Sequence, residues 1–252
     1  MKIVTLNLNG MENAVERGFL QWLEASDVDI VCVQNLRAKE YQLPDHVLEV
    51  PGYNAFFADA EQDEFSGVGI YSKQMPKAII RGLGFPQCDM EGRFIQADFD
   101  RFSVSSTLFP YASDDEEQEL KFQFMEQFKA HLKKTRRKRR DFIFCGSFYI
   151  AHRTIDLGNW ESHQRNPGFL PEERAWMDQV VGPLGYVDAF RQINKNELQH
   201  TWWPYDEAQR FGQRIDYQFV TPDLSPYIDR AKIIVEPRVS THCGVEIEYD
   251  LD

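Results

Sequence analysis

The amino-acid sequence predicts an α/β fold in which two packed mixed β-sheets are flanked by helices. Three observations predict it. Asp29 to Leu36 (DIVCVQNL) is a nearly continuous apolar run of strand length, as expected of a strand buried on both faces and covered by other layers. Strand-like runs outnumber helical stretches, and the helices fall at intervals between them rather than in one block. Hydrophobic residues make up 42% and aromatic residues 13% of the 252 positions, enough to bury a sizeable core. No internal repeat, low-complexity linker or composition break divides the chain, so residues 1–252 are expected to form a single domain.

The elements follow in order. Residues 1–10 read as a strand ending in the turn signal Asn9-Gly10, and residues 12–24 as one helix with Ala14, Phe19, Leu20 and Leu23 on its apolar side. After the buried run come strands over Gly67–Ser72, Arg93–Phe99 and Phe102–Phe109, the last two joined by the turn Asp100-Arg101. The acidic stretch Asp114 to Glu119 opens a long helix on which Leu120, Phe124, Phe128 and Leu132, four residues apart, mark one apolar stripe. A strand over Asp141–Tyr149, a helix over 171–181 begun by Pro171, and a strand over Tyr186–Phe190 come next. The last third is mostly strand, over Arg214–Val220, Lys232–Val235 and Val245–Tyr249.

Composition limits the function classes. A formal net charge of −12 opposes long-range attraction to a polyanion, so nucleic-acid contact must be local or shared with a partner. Cys32, Cys88, Cys145 and Cys243 form no C-x-x-C pair, which indicates neither a zinc site nor a disulfide framework. No apolar stretch reaches the length of a membrane span, and the N-terminus enters a strand pattern rather than a signal peptide. The expectation is a cytoplasmic protein.

Motifs from end to end line up with one pattern: Asn7-Leu8-Asn9-Gly10, Gln34-Asn35, Gly67-Val68-Gly69, Arg93, Phe109-Pro110, Gly146-Ser147-Phe148-Tyr149, Pro171-Glu172-Glu173-Arg174, Thr201-Trp202-Trp203, Arg214-Ile215-Asp216 and Ser240-Thr241-His242. In these the chain resembles the exonuclease III branch of the endonuclease/exonuclease/phosphatase superfamily. The resemblance implies a DNase I-like four-layer sandwich and magnesium-dependent phosphodiester hydrolysis. Magnesium is a hard cation that needs carboxylate oxygens, and here the sequence departs from the pattern. Gln-Glu reads Gln34-Asn35, and Gly-Asp-x-Asn reads Gly146-Ser147-Phe148-Tyr149. The tyrosine before Phe-Pro is Leu108, and Ser-Asp-His reads Ser240-Thr241-His242. The expectation is therefore a degenerate cleft of Asn7, Asn35, Arg93, Leu108, Ser147, Tyr149, Asp216, Thr241 and His242, with no metal, no cofactor and no enzymatic activity. Glu40 and Glu91 are the neighbouring carboxylates that could substitute.

Within the superfamily the chain resembles one inactive branch, the catabolite repression control proteins, in Val15-Glu16-Arg17-Gly18, Pro76-Lys77-Ala78, Arg93 to Asp100 and Pro167-Gly168-Phe169-Leu170. That resemblance implies a repressor of translation working with the RNA chaperone Hfq, a hexamer, on A-rich mRNA in a joint complex, with weak or no RNA binding alone. Lys133, Lys134, Arg136, Arg137, Lys138, Arg139 and Arg140 place seven cations in eight positions. A helix C-terminus is satisfied by one or two, so the block is expected to contact RNA or the partner. Two rival functions remain open, a magnesium-dependent repair nuclease with a residual or altered site and a protein-only scaffold, and dimerisation is compatible with the sequence. Asp216 with His242, and Asn7 with Asn9, are expected to serve as structural hydrogen-bonding groups. In Trp202-Trp203, alternation is expected to bury one ring and expose the other.

Overall fold

The computed structural model describes residues 1–203 and 212–251. Two six-stranded mixed sheets lie face to face. The first has the order β11-β12-β1-β2-β4-β3 and the second β5-β6-β7-β8-β10-β9. β1 (Lys2–Asn7), β2 (Ile30–Gln34), β3 (Asn54–Ala58) and β4 (Val68–Ser72) belong to the first sheet, with β11 (Ile228–Ile234) and β12 (Gly244–Tyr249). The second sheet holds β5 (Ala78–Arg81), β6 (Phe94–Asp98), β7 (Phe102–Leu108), β8 (Asp141–Ser147), β9 (Val187–Asp188) and β10 (Asp216–Val220).

Alternation in the central strands decides the layers. Ile30, Cys32, Val104, Ile143, Cys145, Val245 and Ile247 point between the sheets into one apolar cluster. Opposite faces carry the outer layers. α1 (Met11–Glu16), α2 (Phe19–Ala25) and α3 (Asp45–Leu48) cover Val4, Val31 and Val33 of the first sheet. On the second sheet, α4 (Pro86–Met90), α5 (Asp115–Thr135) and α6 (Pro171–Val181) cover Phe142, Phe144 and Phe219. α7 (Ala189–Ile193) packs against β10 and β11. This is the predicted architecture, and the apolar run Asp29 to Leu36 indeed supplies a strand with every residue buried.

Local differences have local causes. The helix expected over 12–24 breaks into α1 and α2 because Gly18 takes φ 94°, a left-handed conformation that ends one helix and starts the next. On α5 the stripe holds at Phe124, Phe128 and Leu132, but Leu120 is 45% exposed while Gln118 and Lys121 turn inward. The strand expected over 186–190 stops after Asp188, whose carboxylate caps the Arg191 N–H at 3.1 Å and begins α7. β3 and β5 were not predicted. Both are short edge strands, and β5 is largely exposed, so neither carries the apolar alternation that marks a strand in sequence.

Topology gathers the motifs. β1 runs parallel to β2, and β7 parallel to β8, so Asn7, Gln34, Leu108 and Ser147 all end strands on the same edge of the sandwich. β10 is antiparallel to β8 and starts there, with Asp216 opposite Ser147. Gly146 makes the β7–β8 approach: a Cβ on it would lie 2.1 Å from the Thr107 carbonyl oxygen.

Candidate functional site

The strand ends surround an open cleft of about 660 Å³. Asn9, Asn35, Arg93, Leu108, Tyr149, Thr241 and His242 line it, while Asn7, Ser147 and Asp216 lie fully buried in its floor. Of the nine residues expected in the cleft, six line it, while Asn7, Ser147 and Asp216 are buried beneath it; they come from both sheets. Six non-glycine residues on its wall have left-handed backbones, among them Asn35 (φ 60°), Arg37 (φ 52°), Ser66 (φ 46°) and Tyr149 (φ 52°). Such conformations persist only where surrounding structure over-determines them, and they concentrate at working sites.

The floor is one connected hydrogen-bond network. Ser147 Oγ donates to Asp216 Oδ1, and His242 Nδ1 lies 2.9 Å from Asp216 Oδ2. Asn7 Nδ2 donates to Ser147 Oγ at 3.0 Å and to the Tyr149 hydroxyl at 3.1 Å, while its side-chain Oδ1 accepts the Asn9 N–H at 3.0 Å. Asn7 therefore does hold the strand end and turn, and it also ties Tyr149 to the floor. His242 is fixed from its backbone as well, since its N–H donates to Ser240 Oγ at 2.8 Å and that hydroxyl donates to the Asn7 carbonyl at 2.6 Å. Thr201 Oγ1 accepts the Ile215 and Asp216 N–H groups at 3.1 and 3.3 Å, which anchors the start of β10. With Nδ1 committed to a carboxylate, Nε2 is the ring nitrogen left for a ligand.

The wall is partly aromatic. Tyr149 packs edge-on to Tyr111 at 5.6 Å between ring centroids, and Trp202 lies 6.2 Å from the His242 ring. Burial pushes the Tyr149 phenol up to about 12, against a smaller opposing effect of the Asn7 hydrogen bond, so it is neutral at ordinary pH. Arg93 pairs with Glu91 and donates to the Leu108 carbonyl at 3.2 Å. Tyr111, Phe65 and Lys121 also line the cleft and carried no recognisable signal in the sequence. Trp202 and Trp203 are both partly buried, so the expected division into one buried and one exposed ring does not hold. Trp202 lines the cleft, and Trp203 packs against His200 and Arg238.

Magnesium, implied by the resemblance, does not fit these groups. The floor offers amides, hydroxyls and one carboxylate, and that carboxylate already serves Ser147 and His242. Glu64, Glu91 and Glu117 also line the cleft; Glu91 is engaged by Arg93, Glu117 accepts from Ser113, and Glu40 does not line it. Among the described residues, no group of three or more His, Cys, Asp or Glu side chains converges.

The cation block lies at the start of β8, the end of that strand remote from the cleft. It divides into two kinds of residue. Arg136 donates to the Leu184 carbonyl at 3.0 Å, and Arg140 bonds the Phe99 and Phe102 carbonyls and Ser103 Oγ, so both hold the fold. Lys133, Lys134, Arg137, Lys138 and Arg139 are exposed.

Comparison with known proteins agrees with the architecture. The endonuclease/exonuclease/phosphatase family matches residues 4–233. The chain is 30% identical over 253 residues to an exodeoxyribonuclease of Bacillus subtilis (strain 168), covering 98% of each chain. It is 31% identical over 268 residues to a DNA-(apurinic or apyrimidinic site) endonuclease of Dictyostelium discoideum, covering all of this chain and 71% of that protein. The fold superposes on an AP endonuclease from Archaeoglobus fulgidus with a TM-score of 0.91 at 25% identity, covering 100% of both chains.

These similarities correct one expectation. A chain without enzymatic activity was expected from the missing carboxylates, whereas relatives matched over essentially its whole length carry the names of enzymes. The substitutions at 35 and 147 change the donor set of the cleft. Asp216 and His242 remain in contact at the cleft.

Proposed function

The chain belongs to the endonuclease/exonuclease/phosphatase family, and on that footing we propose that it is a nucleic-acid phosphodiesterase with an altered active site. The observation that carries this reading is the 2.9 Å contact of His242 Nδ1 with Asp216 at the floor of the cleft. A carboxylate in that position fixes the tautomer and the orientation of the ring, so that Nε2 faces an oxygen of a bound phosphodiester and can hand it a proton. Water attacks phosphorus and releases a proton to solvent as the bond to the leaving oxygen breaks. The leaving oxygen takes its proton from His242, which is reprotonated from solvent.

Neutral amides at Asn9 and Asn35 position the substrate, and Trp202 and Tyr111 offer apolar faces to its sugar or base. No carboxylate at 35 or 147 activates the water. Loss of one such member of a catalytic unit lowers turnover on the order of 10⁴-fold in well-studied hydrolases, so the reaction is slow.

The test is cleavage of abasic-site DNA, duplex ends and A-rich RNA by the wild type and by Asp216→Ala purified in parallel. Slow cleavage that disappears in the variant supports the reading. Equal background from both overturns it.

A second reading concerns partners, and the exposed cations Lys133, Lys134, Arg137, Lys138 and Arg139 favour it. An acidic chain with one exposed basic block suits a protein that meets RNA in company, here a joint complex with the Hfq hexamer and A-rich mRNA in translational repression. Four buried cysteines, all free, suit a reducing compartment, and we place the protein in the cytoplasm. Gel shifts of an A-rich RNA with Hfq, with and without this chain, decide the matter, because a complex unchanged by the chain removes the partner reading.

A further inference from the structure

Lys121 and Glu173 form an ion pair with both side chains essentially out of solvent, at 1% and 0% exposure, in the wall behind the cleft. A buried ion pair adds little net stability, because desolvation offsets much of its Coulombic gain. The contacts of this one extend beyond the pair. Lys121 Nζ, on α5, donates to Glu173 Oε1 at 2.5 Å and to the backbone carbonyl of Tyr149 at 2.8 Å. Glu173, on α6, accepts the Leu170 N–H at 3.0 Å through its other oxygen, and Gln118 Nε2 donates to Oε1 at 3.3 Å. Lys121, held in place by Glu173 of the second helix, thus donates to the carbonyl of the residue whose phenol enters the cleft.

Tyr149 needs such a hold. Its φ of 52° is left-handed, which a bulky side chain rarely adopts, and β8 has already ended at Ser147. This conformation turns the ring inward, where the hydroxyl accepts from Asn7 Nδ2 and the ring meets Tyr111 and His242 at centroid distances of 5.6 and 6.2 Å. In this position the phenol accepts an amide proton of Asn7, whose side chain is fully buried.

We infer that Lys121 is a positioning residue that acts through the Tyr149 carbonyl to seat the Tyr149 phenol on Asn7, making Tyr149 the side chain that decides what the cleft floor admits. A ligand that needs the Asn7 amide, such as a phosphate oxygen, must displace the phenol. A ligand held by His242, Asn35 and the aromatic wall need not. The inference rests on the cleft being the working site, and its test reads hydrogen bonding rather than turnover.

The measurement is the side-chain amide resonance pair of Asn7 in the full chain labelled with ¹⁵N-asparagine, assigned through Asn7→Ala. Tyr149→Phe removes only the hydroxyl and gives the signature of the lost contact. Lys121→Met leaves Glu173 buried without its partner. Lys121→Met/Glu173→Gln removes both charges, keeps an acceptor for the Leu170 N–H, and serves if the single variant does not fold. The expected result is that removing Lys121 shifts the Asn7 pair in the same direction as Tyr149→Phe, because the hydrogen bonds of Lys121 reach Asn7 by way of Tyr149. An Asn7 pair that stays at its wild-type position while the unfolding midpoint falls makes the ion pair a structural brace only and overturns the inference. Neither result depends on cleavage, so a failure of the proposed activity is distinguishable from a failure of this one.

Discussion

Replacing Asp156 by asparagine tests how the start of β10, and with it Asp216, is held. Asp156 is fully buried and accepts from Arg214 Nε at 2.8 Å, from Arg191 Nη2 at 2.7 Å and from the Arg153 N–H at 3.1 Å. Arg214 also pairs with Asp188 at 2.6 Å, and it stands two residues before Asp216. Burial alone would push the Asp156 carboxyl up, but the two guanidinium groups outweigh it and hold the carboxyl down at about 2. Against an ordinary value of 3.8 the depression is worth about 2 kcal/mol of stability at neutral pH.

That contribution is fully present above the unfolded-state value near 3.8 and is lost as pH falls through about 2. By pH 3 about 1 kcal/mol of it is gone. Asp156→Asn also strands Arg214 with a single carboxylate, and breaking a buried pair costs about 3–5 kcal/mol. Urea unfolding of both proteins at several pH values between 7 and 3 measures the difference. The expected outcome is a variant about 3–5 kcal/mol less stable at pH 7, with the gap narrowing by about 1 kcal/mol towards pH 3. A gap that is constant, or that widens towards acid, refutes the account of Asp156 as a buried, doubly paired carboxylate.

Three further outcomes are expected. Gly146→Ala places a methyl 2.1 Å from the Thr107 carbonyl oxygen and forces the parallel pair β7–β8 apart, at a cost of about 3 kcal/mol measured by thermal unfolding. Asn35→Glu with Ser147→Asp puts two carboxylates back beside Asp216. Manganese is expected to broaden the amide resonances of cleft residues in this double variant and to leave the wild type unaffected, and equal broadening would contradict the misfit of a hard cation. Alanine at Lys133, Lys134, Arg137, Lys138 and Arg139 is expected to weaken an RNA complex formed with Hfq and to flatten its dependence on salt. The unfolding midpoint should hold, because Arg136 and Arg140, which bond backbone carbonyls, are left in place.

Much of the fold is written in local pattern. The buried strand Ile30–Gln34 followed from an apolar run too continuous for a surface strand, and α5 from apolar residues spaced four apart. Leu120 was misjudged because that spacing defines a stripe without fixing its edges. The edge moved when Lys121 turned inward to meet Glu173, 52 residues away. β3 and β5 went unseen since neither shows a strict alternation of apolar and polar residues, although Phe57 of β3 is buried, and α1 and α2 parted at a glycine whose left-handed turn no periodicity reports.

The sequence by itself determined the layer architecture, the family resemblance and the list of residues at the cleft, because each rests on residue type and order. Only the tertiary structure decided how those residues are engaged. That Asp216 is shared between Ser147 and His242, that Asn7 spends its amide on Tyr149, and that Arg136 and Arg140 brace the fold while their neighbours face solvent are relations between groups distant in the chain. Hydrogen bonding is short-ranged and directional, so it is settled by which strand ends the topology brings together and by the backbone that aims each side chain. Neither is encoded in the spacing of any one motif.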